Sequence, residues 1–175
     1  MKHLYLLTTH PRVVTDTALL ILRLAVAAVF IAHGWGDVMD AGVSSNVENY
    51  RGAGIPWPEF SAPFAGYIQL FGGIALFVGI LSRPISAGLV VVMAGALIWV
   101  HRGESLVMGQ DGSGSGFAFV MGVASLALLL TGPGRFSLDG IIADRWSRSR
   151  PNPDVTTQNL RARQHAVSAG QHTGG

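Results

Sequence analysis

Four polar side chains sit within or at the ends of otherwise apolar runs: Arg23, His33, Gln69 and His101. An imidazole can hold or pass a proton and can ligate haem iron, a carboxamide can donate to a carbonyl oxygen, and a guanidinium can hold an acidic group. Gathered in one place, they would suit a quinone headgroup or, between the two imidazoles, a haem. No CxxCH run or other local signature accompanies the histidines, so haem ranks below quinone, and no metal-ligand spacing is present. The plainer reading has both histidines at a membrane interface, bonded to water or carbonyl groups. The chain has no Cys. Disulfides, thiolate nucleophiles, Cys-ligated zinc and Cys-ligated iron–sulfur clusters are thereby excluded, and any redox chemistry needs a bound cofactor or a partner.

The elements that must position these groups follow from composition. Hydrophobic residues make up 49% of the 175 positions and charged residues 13%, against about a quarter charged in a soluble domain. A membrane-embedded unit therefore takes most of the chain. Apolar stretches cover 17–36, 62–81, 85–100 and 116–131, and the last three contain no Asp, Glu, Lys or Arg. At about 1.5 Å per residue they reach roughly 24 to 30 Å, enough for the hydrocarbon core with polar or aromatic flanks. Backbone groups in lipid must be paired within each stretch, so the spans are helices. Short connections such as Ser82-Arg83-Pro84 make sequential spans antiparallel. The fold class is all-α, a four-transmembrane-helix bundle filling 17–142.

Positive charge sets the expected orientation. Lys2, Arg12, Arg83, Arg135, Arg145, Arg148, Arg150, Arg161 and Arg163 fall on one side, against Arg51 and Arg102 on the other, which puts both termini in the cytoplasm of a bacterial plasma membrane. Trp35, Trp57 and Trp99 then lie at the outer ends and Trp146 just past the inner end. Residues 1–16 read as a cytoplasmic lead. Arg23 interrupts the first apolar run, which is also long for a signal peptide, and favours a retained helix. After the fourth span, Ser137 can cap a short interfacial helix with Leu138, Ile141, Ile142 and Trp146 on its apolar face. The tail, 143–175, is basic and of disordered composition. Beside membrane spans it points to anionic lipid, not nucleic acid.

The outer loop 37–61 holds Asp37, Asp40, Glu48 and Glu59 against Arg51. A short helix is expected near 43–50, then an extended lid through Gly52, Gly54, Pro56 and Pro58, which either caps a site or simply connects. Gly66, Gly72, Gly73 and Gly79 in the second span read as helix-packing residues. Gln69 should face the bundle, because an amide in lipid needs a partner. Ala87, Ala94 and His101 recur every seven residues and form a small-residue packing stripe. His33, Gln69 and His101 could thus converge in the outer half of the bundle. Arg23, ten residues before His33, lies about 15 Å along the axis and roughly 80° around it. It either turns inward, to bind an acidic ligand group or lock helices together, or snorkels to the inner phosphates. DGSGSG at 111–116 reads as a flexible loop, lacking the strand, Lys and helix of a phosphate cradle.

RLAVAAVFIAHGW in the first span, GIPWPE in the outer loop, QLFGGIALFVGILSRP across the second span, WVHRG after the third and GPGRFSLD after the fourth together resemble the DoxX family of small bacterial membrane proteins. The resemblance runs from about Leu19 to Ile142 and implies a four-helix membrane protein. It further implies association with membrane oxidoreductase assemblies, such as quinol oxidase and thiosulfate:quinone oxidoreductase complexes. Gln69 departs from it, standing where the family commonly has Glu before the Gly-Gly pair, and an amide cannot carry a proton there. Two functions follow. One is a redox-complex subunit binding a quinone at His33, Gln69 and His101, with Arg23 as a further candidate. The other is a non-catalytic scaffold recruiting soluble redox enzymes through the basic tail. A transporter ranks third, for want of a membrane-embedded acid or an internal repeat. Whether the chain is itself an enzyme, and whether it forms a homo-oligomer, stay open at this point.

Overall fold

An apolar run that pairs its own backbone groups becomes a helix, and it ends where a residue leaves the helical region or loses an N–H. The computed structural model describes residues 12–107, 109 and 114–149. The lead before Arg12, residues 108 and 110–113, which take in the first half of DGSGSG, and the tail from residue 150 lie outside the described residues. Among the described residues six helices follow in order: α1, Arg12–Asp40; α2, Val43–Gly52; α3, Pro58–Val78; α4, Ser82–Val100; α5, Gly116–Thr131; and α6, Leu138–Ser149. No strand occurs among the described residues. α1, α3 and α4 are long and apolar enough to cross a membrane, whereas α5 is apolar but has 16 residues.

Several boundaries differ from the sequence expectation, each for a local reason. α1 does not stop at Gly36. It runs on to Asp40 through a π turn closed by Ala41 N–H donating to Gly36 O at 2.8 Å. α3 starts at Pro58, a residue preorganised for the first helical position, behind Trp57 in the left-handed region at φ 51°. The expected extended lid is therefore only a tight turn over 53–57. α3 ends at Val78 because Gly79 takes φ 84°. That glycine both makes the turn and permits a close approach, since a Cβ there would meet Ser137 Cβ at 2.6 Å. The connection to α4 is 79–81, so Ser82-Arg83-Pro84 forms the first turn of α4.

α1, α3, α4 and α5 share one core, in which Phe30, Leu76, Leu89 and Leu128 are fully enclosed. Lipid offers no hydrophobic drive for helix association, so close backbone approach has to supply the contact. A Cβ at Gly34 would run into the Leu70 backbone, and one at Gly73 would meet Ile31 Cγ1 at 2.9 Å. These two glycines bring α1 and α3 together. On α4 the buried stripe is Ser82, Ser86, Leu89 and Met93, at steps of four, three and four residues. The expected Ala87–Ala94–His101 stripe is not the packing face, and Ala94 is exposed. Phe71, Ile74, Val91, Val120 and Leu130 are also exposed, a surface suited to lipid and not to water.

The end of the helices beside the 79–81 turn is locked by polar groups. Arg23 is 2% exposed and donates from Nη1 to Pro133 O at 3.0 Å and from Nη2 to Phe136 O at 2.7 Å. It turns inward and does not snorkel. Asp139 accepts from Leu81 N–H at 3.1 Å and Ser82 N–H at 3.0 Å, capping the start of α4, while its own N–H donates to Gly79 O at 3.0 Å. Ser137 caps α6 as expected, accepting from Gly140 N–H at 3.0 Å. Leu138, Ile141, Ile142 and Trp146 of α6 are all exposed. Arg23→Ala leaves two carbonyls without their donor, at about 1–3 kcal/mol each. Thermal unfolding in detergent should show a marked fall in Tm for Arg23→Ala and a partial recovery for Arg23→Lys, whose ammonium lacks the fork. An unchanged Tm in Arg23→Ala contradicts the lock.

Candidate functional site

Away from that end, π turns finish α1 at Gly36–Asp40 and α4 at Ala96–Val100, and another interrupts α3 midway at Ile68–Gly72. Such turns widen a helix by one residue and are frequent at functional sites. All three contribute walls to one cavity, of about 280 Å³. His101 follows the α4 turn directly, its N–H donating to Ala96 O at 2.9 Å. The wider turn changes the register of His101 relative to Ala87 and Ala94, which is why a seven-residue spacing misplaced them together.

His33, Gln69 and His101 all line this cavity. Gln69 is 6% exposed, and its Nε2 donates to Asp37 Oδ2 at 3.5 Å, a long bond. His33 stands at the rim with its ring 5.5 Å from that of Phe117. His101 Nδ1 lies 2.8 Å from Glu104 Oε2, which also accepts from Gly114 N–H at 2.8 Å. A carboxylate only accepts, so Nδ1 carries the hydrogen and Nε2 is the ring atom open to other chemistry. Arg23 is not brought to the cavity. Its Nη1 and Nη2 are spent on the carbonyls of Pro133 and Phe136, leaving it no role in this wall.

Two more polar groups line the cavity, Asp37 and Tyr50. Sequence reading left both in the outer loop. The signal for Asp37 was its spacing of four from His33, visible once α1 is allowed past Gly36. α2 brings Tyr50 back over the cavity, and Asn46 on the same helix ties α2 to α1 by donating to Asp37 O at 2.7 Å. Burial, and then the charge of Asp37, hold the Tyr50 phenol above its ordinary pKa, so at neutral pH it is protonated and can donate. Val29, Phe30, Val92 and Phe117 supply apolar walls. The site can therefore hold a flat, mainly apolar ring whose edge oxygens accept hydrogen bonds from Gln69, Tyr50 and an imidazole.

Residues 18–102 match the DoxX family model. That stretch is a DoxX domain. The match takes in α1 from residue 18, all of α2, α3 and α4, and His101, every cavity wall except that of α5. Over 137 residues the chain is 27% identical to "Inner membrane protein YqjF" of Escherichia coli, covering 75% of this chain and 96% of the relative. It is 29% identical over 124 residues to "Inner membrane protein YphA" of the same organism, covering 69% and 87%. A Bacillus subtilis relative named "Putative oxidoreductase CatD" is 26% identical over 123 residues, covering 70% and 85%. No solved structure matches the chain. The apolar helices and the inner-membrane relatives mark it as a membrane protein with a DoxX domain.

Asp37→Asn removes the negative charge beside Tyr50 and should lower its pKa, though not to the ordinary value, because burial remains. Carbon NMR of ring-labelled tyrosine against pH reads this directly. A Tyr50 pKa that rises or stays unmoved in Asp37→Asn contradicts the placement of the two groups.

Proposed function

We propose that this chain is an integral subunit of an oxidoreductase complex in a bacterial plasma membrane, holding a quinone headgroup in the cavity at the histidine end. The chain crosses the bilayer four times, with α5 as the fourth span and both termini in the cytoplasm, as the Lys and Arg distribution directs. The cavity then lies in the outer half of the membrane. The observation that carries the reading is the gathering of His33, Gln69 and His101, from three helices, with Asp37 and Tyr50 around one small apolar-walled space. The name of the Bacillus subtilis relative agrees with redox work.

The donor set fits the group. A quinone has two carbonyl oxygens and a flat apolar ring; Gln69 Nε2, the Tyr50 hydroxyl and an imidazole supply donors, and Phe30 and Phe117 supply flat walls. A porphyrin fits poorly, because about 280 Å³ falls just below the roughly 300–1,000 Å³ of drug-sized ligand sites. When bound, a quinone supplies two-electron, two-proton exchange with a partner. The residues of this chain orient its oxygens, exclude water and hold protons. Gln69 cannot titrate, but Asp37 beside it can, so a carboxylate is present at the site from α1 although α3 provides none. Other subunits or soluble redox enzymes provide the electrons, since the chain holds no Cys for its own cluster.

Mild-detergent purification followed by solvent extraction should recover quinone with the protein. His33→Ala should reduce the recovered amount by about an order of magnitude, the equivalent of one lost hydrogen bond of about 1.4 kcal/mol, and His101→Ala should reduce it through the lost cavity wall, because its Nε2 has no hydrogen to donate to a carbonyl. Protein free of quinone, with partner function unchanged in both variants, would overturn this reading in favour of a scaffold acting through its cytoplasmic tail.

A further inference from the structure

A second hollow, of about 560 Å³, runs between α3 and α4 on the side away from the core. Its walls include Phe60, Phe64, Val91, Ala94, Ile98 and Trp99, with no Asp, Glu, Lys or Arg among them. The Ser61 hydroxyl also faces it but is committed to its own backbone, donating to Pro56 O at 3.1 Å and Trp57 O at 3.0 Å. The groove therefore offers apolar surface and almost no hydrogen bonding.

Three residues, Tyr50, Ile55 and Val92, line both this groove and the polar cavity. The two spaces are neighbours across a shared wall. A larger groove on the adjacent face, about 610 Å³ between Glu59 and Ile85, shares no residue with the cavity. At the lip of the 560 Å³ groove stands Trp57, 78% exposed and held at φ 51°, an uncommon conformation for a bulky residue.

We propose that the groove between α3 and α4 holds the apolar chain of the ligand whose headgroup occupies the cavity, so that the ligand enters sideways from the bilayer past Ile55 and Val92. This rests on the quinone reading and adds to it that the ligand is a long-chain, lipid-soluble quinone. The polar end meets Gln69, Tyr50 and the histidines; the chain meets the aromatic and aliphatic walls. A ligand without a chain would use the cavity alone. Gly95 lies in the groove wall, and a Cβ there would meet only Trp99 Cε3 at 4.0 Å. A larger side chain at this position fills the groove without striking a backbone.

The test compares two probes on the purified full chain at a fixed detergent concentration: a dimethoxy-methyl-benzoquinone without a chain, and its decyl derivative. Wild type should bind the decyl form about tenfold or more tightly. Gly95→Leu and, independently, Ala94→Leu should bring that ratio close to unity and leave binding of the chainless probe unchanged. A decyl probe carrying a diazirine at the chain end should cross-link wild type within 55–65 or 91–99. Equal affinity of the two probes for wild type, a ratio that persists in both folded variants, or cross-links elsewhere would overturn the groove assignment while leaving the headgroup site standing. Failure of wild type to bind either probe would overturn the headgroup site and the groove together.

Discussion

A guanidinium withdrawn from water has to be given acceptors, and the way Arg23 is given them governs how the helices are joined. Left facing lipid it would cost about 2.5–3.5 kcal/mol. Instead its two Nη groups take the backbone carbonyls of Pro133 and Phe136, in the segment between α5 and α6. Gly79 lies so close that a Cβ there would meet Arg23 Nη1 at 2.7 Å. Asp139, charged opposite Arg23, caps the start of α4 through Leu81 and Ser82. One buried cation thus ties α1, the α3–α4 turn and the start of α6 into a single knot.

With one end of the helices fixed, the other can afford irregular backbone. Gly34 and Gly73 set the approach of α1 to α3, and that approach places Asp37 beside Gln69. Beyond Gly34, each of the three long helices opens into a π turn, and each turn contributes to the cavity wall. The regular part of the fold carries the packing; the irregular part carries the polar groups.

Much of this was legible in the residues. Runs without Asp, Glu, Lys or Arg mark α3, α4 and α5, and His33 and His101 at the ends of their apolar runs, with Gln69 inside its own, point to one half of the bundle. The Ser137 cap was readable from its spacing to the following apolar face. The π turns were not, since no residue type demands one, and with them the inclusion of Asp37 and the true register of His101 were hidden. The fate of Arg23 was equally hidden. Its partners are backbone carbonyls 110 and 113 residues away, and a carbonyl leaves no trace in side-chain pattern. Pro58 was read as part of a loop because proline breaks helices, yet at the first helical position it starts one.

The groups at the histidine end form a coherent chemical whole: donors from Gln69 and Tyr50, imidazoles from α1 and from the residue just past α4, a carboxylate at Asp37, and apolar walls that include Ile55 and Val92. The account stands on that cavity as the seat of a quinone headgroup. Photolabelling the purified protein with an azidoquinone, the azide on the ring, and mapping the adducts by mass spectrometry tests it most directly. The account predicts adducts within 29–37, at Tyr50 or Gln69, or within 92–101, suppressed by an excess of unlabelled quinone. Adducts confined to the outward-facing surfaces of the helices, and indifferent to competitor, would contradict it.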